Sequence, residues 1–180
     1  MVPLRDRVIK RTVINTVETL IGPLRGKTTH SILGYVHKPY PPIYAHLVKS
    51  SGMDTALLVR GVEGGVVPSL RQKGLMISYQ GTKEQDRVDI DPSSIGIDQD
   101  MRAISFPGEM DVKSDIKDLA EYTVKLGRSA LSGEQGMFYD GLVLSASLIL
   151  WHTKKSDSLA DAAKIVRSTL DSGKVLNRLK

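Results

Sequence analysis

The chain has 180 residues, of which 41% are hydrophobic and 25% charged, and its net charge is +5. That length and balance suit one soluble globular domain with enough apolar content for a real core. The lack of cysteine excludes a disulfide framework, a thiolate metal site and cysteine nucleophilic chemistry, and it fits a reducing compartment.

The opening stretch, "MVPLRDRVIK", has no apolar h-region and does not read as a secretory signal. The longest apolar run, "GLVLSASLILW", falls well short of the roughly 18 residues of a membrane span. The expectation is therefore a cytoplasmic protein with no membrane partner, or a plastid protein if a transit peptide is missing. Charge is spread unevenly. From Thr82 to Tyr122 there are eleven acids and five bases, a local charge of −6, so the remainder carries +11. Such asymmetry attracts polyanions such as nucleotides, phosphosugars or nucleic acid, and it is equally the pattern of a solvated surface.

Residues 4–20 place Leu4, Val8, Ile9, Val13, Val17 and Leu20 at helical spacing, with Arg5, Arg7, Lys10 and Arg11 on the other faces. Gly22 and Pro23 stop that helix. A short apolar run over 29–36 predicts a strand, and "PPIYAHLVKSSGM" predicts a helix opened by proline and closed near Gly52. Residues 55–61 predict the strongest strand, 74–80 another, and "DRVDIDP" a short edge strand. Residues 91–112 read as loop. Three helical segments follow: one from "SDIKDLAEYTVKLGRSALSG", one apolar nearly all round from "FYDGLVLSASLILWHTKKS", and an amphipathic one capped by Ser158 and interrupted at Gly173. Strands alternating with helices of this length predict an α/β fold in one domain over 1–180, with a central, mostly parallel sheet and helices on both faces.

Few residues carry recognisable chemistry. "GPLRGKTT" is a near miss for a phosphate loop: Gly22 and Gly26 enclose three residues where four are needed, and the stretch follows a helical pattern instead of a strand. The histidines at 30, 37, 46 and 152 have no metal-ligand spacing, so structural packing is the plainer role. His37 beside Lys38 could meet an anion at a strand end. No G-x-S-x-G elbow occurs. Asp89 and Asp91 share one face of a strand, and the acids at 98 and 100 read as a solvated loop. The glycine-rich turn "VRGVEGGVVPSL" ends the strongest strand with a single acid, Glu63, among its glycines. Residue chemistry alone assigns no catalytic residue.

Taken together, several stretches resemble the C-terminal part of the anthranilate phosphoribosyltransferase family, glycosyltransferase family 3. "RDRVIKRTVINTVETLIGPLRG" is similar to that family's Arg-Thr-Ile-Asn and Gly-Pro-Leu segment. "ILGYVHKPYPPIYAHLVKSSGMDTALLVRGVEGG" resembles its strand, helix and strand leading to a metal-binding turn. The two stretches from 130 to 150 and from 158 to 179 resemble its closing helices. The resemblance spans essentially the whole chain. It implies a catalytic domain like those of nucleoside phosphorylases and phosphoribosyltransferases. It also implies substrate-binding positions at Arg5, Asn15, His37, Lys38, Arg60 and Glu63, with Arg5 placed to meet the carboxylate of anthranilate. Ser145 departs from the family, which has asparagine there.

Two larger departures stand beside these matches. Active members carry an adjacent Asp-Glu pair on the turn, holding the magnesium that neutralises pyrophosphate. The matching residues here are Val66 and Val67, which offer a hard cation no oxygen. No cofactor is therefore expected in this chain. The family's Gly-Thr-Gly-Gly-Asp loop, Asn-x-Ser/Thr stretch, Lys-His-Gly segment and N-terminal helical subdomain are also missing from these residues, so the expectation is a truncated homologue, a split-gene product or a fragment. "HKPYPP" and "VEGGVVPSLRQ" suit a divergent branch that keeps the fold. The expected function is phosphoribosyltransferase-like with lost or altered pentosyl transfer, related to tryptophan biosynthesis by resemblance alone. Its ligand would be a phosphorylated sugar or nucleotide, and its assembly a homodimer or a pairing with a separate N-terminal half. The alternative is a nucleic-acid or polyanion-binding module on the same fold.

Overall fold

The computed structural model describes residues 17–22, 24–103 and 116–179. The helix expected over 4–20 lies mostly outside them. Strand β1 runs His30–Gly34, helix α1 Tyr40–Ser50 and strand β2 Thr55–Val59. Strands β3, Gly74–Gln80, and β4, Lys83–Ile90, follow. The chain then turns through a short 3-10 segment, Pro92–Ile95. It continues in α2, Ile116–Leu131, α3, Met137–His152, α4, Leu159–Asp171, and the short α5, Lys174–Arg178. Among the described residues no helix is long and apolar enough to cross a membrane.

The α/β class holds, but the sheet is mixed and not mostly parallel. Its order is β1-β2-β3-β4, with β1 and β2 parallel and the other two neighbouring pairs antiparallel. The connections explain this. A parallel pair needs a crossover element to carry the chain back, and α1 supplies one between β1 and β2. No helix of comparable length lies between β2 and β3, and only two residues join β3 to β4. Both later strands therefore return antiparallel.

β2 is buried over its full length, because both faces of the sheet are covered. Its side chains alternate, as strand geometry demands. Leu57 and Val59 join Met76, Ile90, Leu144 and Leu148 in a core shared with α3 and α4. Ala56 and Leu58 join Ile77, Tyr79, Ala45 and Val48 in a second core under α1. Fully burying a leucine or valine stabilises by roughly 1.5–3 kcal/mol, so this strand anchors both cores. The predicted all-round apolar character of α3 matches its burial at Val143, Leu144, Ser147 and Leu148. Ser158 caps α4 as the sequence implied, its Oγ accepting from the Asp161 amide at 3.1 Å. β4 is the edge strand expected from its alternation, and it starts at Lys83, earlier than predicted.

Candidate functional site

Parallel pairing brings the ends of β1 and β2 to the same edge of the sheet. There the turn after β2 folds back over both strands. Gly34 closes β1, and a Cβ on it would collide with the carbonyl oxygens of Gly64 and Gly65. A Cβ on Gly61 would meet the Gly65 carbonyl oxygen and lie 2.8 Å from the Val67 oxygen. Only glycine lets these backbones approach so closely. Hydrogen bonds from the Val62 amide to the Val67 carbonyl at 3.0 Å and from the Gly65 amide to the Val62 carbonyl at 2.9 Å lock the turn. At its tip Glu63 adopts φ 52, ψ 26, a left-handed conformation that non-glycine residues rarely take.

His37 and Lys38 follow β1 after Tyr35 and Val36 and are exposed. Their neighbour Val36 touches the turn at Gly64. The ring of His37 stands 5.8 Å from that of Tyr40, which stands 5.8 Å from Tyr44. The structure thus brings His37, Lys38 and Glu63 to one edge of the sheet. Arg60 differs: it lines an open cavity of about 480 Å³ on the β3–β4 side of the turn. Arg5 and Asn15 lie outside the described residues.

That cavity went unseen in the sequence. Its other polar walls come from Ser69, Gln72, Lys73, Asp89 and Arg102, which no sequence motif connects. The antiparallel return of β3 and β4 assembles them, setting Leu75 opposite Asp89. Lys73 pairs with Asp91 at 3.0 Å. Its hydrogen bond to that carboxylate raises the ammonium pKa. The Ser93 hydroxyl, and then Lys73, hold the Asp91 carboxyl below its usual range. On the same face of the sheet Arg87 grips Glu84 through two bonds of 3.1 Å, and Tyr79 donates to Glu84 at 3.2 Å. Burial, with Glu84 adding to it, pushes the Tyr79 hydroxyl up to about 12.

At the opposite end of the sheet lies a second polar group of residues. His152 is buried and bonds Thr55 Oγ1 through Nε2 at 2.9 Å and Ser78 Oγ through Nδ1 at 3.2 Å. His30 Nδ1 meets the same threonine oxygen at 2.7 Å. Burial first, then the charges of His30 and Lys154, pulls the His152 pKa down to about 4. Packing was the role expected for this histidine, and the network agrees.

The sequence profile of the glycosyl transferase family, a/b domain, matches residues 2–176. The chain belongs to this family. Among relatives of this glycosyl transferase domain, an anthranilate phosphoribosyltransferase of Aquifex aeolicus is 27% identical, covering 99% of this chain and 52% of its own length. An uncharacterised protein of the same organism is 25% identical, covering 89% of this chain and 47% of its own length. Anthranilate phosphoribosyltransferase from Saccharomyces cerevisiae, solved in complex with 4-fluoroanthranilate, superposes with a TM-score of 0.73 at 19% identity, over 98% of this chain and 48% of that one. The same yeast enzyme in complex with PRPP and Mg gives 0.70. These structural likenesses establish the fold. The chain spans about half the length of the relatives it matches.

Within this family fold, the turn does not suit a magnesium ion. Val66 and Val67 are 45% and 38% exposed, presenting hydrocarbon where a hard cation needs oxygens. Among the described residues no three histidines, aspartates or glutamates cluster so as to hold a metal. Glu63 is a single exposed carboxylate.

Proposed function

We propose that this chain is a phosphoribosyltransferase-like protein whose pentosyl-transfer activity is lost or altered. The observation that carries the reading is the exposed Val66–Val67 pair on the glycine turn. A pyrophosphate leaving group gathers negative charge as its bond to the sugar breaks, and a fixed countercharge lowers that barrier. Two isopropyl groups supply none, and they cannot recruit an ion that would. The shared fold of the yeast enzyme solved with PRPP and Mg supports a phosphate-bearing ligand. His37 and Lys38 are the residues here that would meet it.

The test is a steady-state assay of this chain with phosphoribosyl pyrophosphate, anthranilate and magnesium. We expect no product above background. Turnover of about 1 per second or faster, within the ordinary enzyme range, would overturn the reading.

A further inference from the structure

We propose that the open cavity on the β3–β4 side of the turn binds a phosphate-bearing, otherwise uncharged small molecule through Arg60 and Arg102, with no divalent ion. Its volume of about 480 Å³ is that of a small-ligand site. Among the described residues its wall carries the cations Arg60, Lys73 and Arg102 and one acid, Asp89. Two neighbouring acids are spent: Asp91 is bonded to Lys73 and Ser93, and Glu84 to Arg87. No ion pair joins either cavity guanidinium to the described residues. A guanidinium presents paired donors that match phosphate oxygens.

A neutral donor completes the wall. The buried Ser69 Oγ accepts from the amides of Arg71 at 3.2 Å and Gln72 at 2.9 Å. Both incoming bonds are taken up by its lone pairs, so its own O–H is left for an occupant. Asp89 sets the selectivity. Its carboxylate repels a second anionic group and accepts from a hydroxyl, which favours a phosphomonoester with a hydroxylated remainder. The proposal is independent of pentosyl transfer, since it needs neither a metal nor the positions of Val66 and Val67.

The experiment is isothermal titration calorimetry of glycerol 3-phosphate into the full chain, with inorganic phosphate in parallel, in EDTA and again in magnesium. We expect binding that is the same in both buffers. Arg102→Gln and Arg60→Ala should each weaken it by about tenfold or more, the scale of a charge-assisted hydrogen bond. Asp89→Asn, which keeps the shape and removes the repulsion, should tighten inorganic phosphate severalfold. A misfolded variant cannot mimic that gain. The idea is overturned by no binding, by binding that requires magnesium, or by affinities unmoved in Arg102→Gln and Asp89→Asn. It is also overturned if a single-stranded oligonucleotide binds while glycerol 3-phosphate does not, because the cations would then serve a polymer.

Discussion

The two ends of this sheet use polar residues in opposite ways. At the end of β2 the charged groups are exposed, and Arg60 and Arg102 have no ionic partner among the described residues. At the start of β2 Thr55, Ser78 and His152 are buried, with His152 bonded to both hydroxyls and the exposed His30 bonded to Thr55. A buried polar group without a partner costs far more than its bond returns. The closed end is therefore built for stability, whereas the open end retains unspent charge that a ligand can use. The difference teaches where to look for ligand binding in this fold: at unpaired groups on a rigid edge.

The largest expected effect strikes the closed end. His152→Ala removes the ring that links β2, β3 and α3, leaving a cavity, the Ser78 hydroxyl without its imidazole partner and the Thr55 hydroxyl with His30 alone. We expect a loss of about 3 kcal/mol, read by urea denaturation, with phosphate binding in the other end's cavity unchanged. A loss under about 1 kcal/mol would show that the network is not what holds this end closed.

Gly61→Ala should come next. Its Cβ meets backbone, which cannot swing aside as a flexible side chain can. Overpacking of this kind costs about 1–3 kcal/mol. Here the damage belongs to the open end, so the expected signature is a disordered turn with an intact His152 network, measured by amide hydrogen exchange at Val62 and Gly65.

The third prediction concerns pH. The folded His152 titrates near 4, below the ordinary value of 6.5. Between those values the unfolded chain binds the extra proton, so stability rises with pH across this window. It is complete above 6.5 and is lost as pH falls toward 4. The charged groups around the ring are His30 and Lys154, and Lys154 lies 3.8 Å from Asp86. Allowing for solvent screening, the change is roughly 2 kcal/mol. A His152→Gln variant should flatten this slope in thermal melts from pH 4 to 7. An unchanged slope would assign it to other groups.

Much of this architecture was legible in the sequence, and the exceptions have a common cause. The β2 apolar run, the proline-opened α1 and the Ser158 cap are local signals, and each element formed where its pattern placed it. The Gly-rich turn was legible because only glycine admits the backbone contacts at 34 and 61. Strand direction was not, since it depends on whether a connection can carry the chain back across the sheet. The cavity was hidden for the same reason: Arg60, Lys73, Asp89 and Arg102 are scattered in sequence and meet only through the antiparallel return. The His152 network likewise joins residues up to 97 positions apart.

The smallest effect on stability, and the sharpest on chemistry, is expected from Val66→Asp with Val67→Glu. Both valines are exposed, so replacing them forfeits little buried area, and surface changes of this kind shift stability by about 0.5 kcal/mol or less. The new carboxylates would stand on a turn already fixed by the Val62–Val67 hydrogen bond, with Glu63 nearby. Carboxylate oxygens on a rigid turn are the donor set that manganese and magnesium prefer. We expect the double variant to bind manganese in an electron paramagnetic resonance titration where the parent does not. Gain of metal without gain of pentosyl transfer would show that the two side chains limit metal binding but do not by themselves limit the reaction. Failure to gain metal would mean that the turn's backbone, and not only its two side chains, has moved away from metal binding.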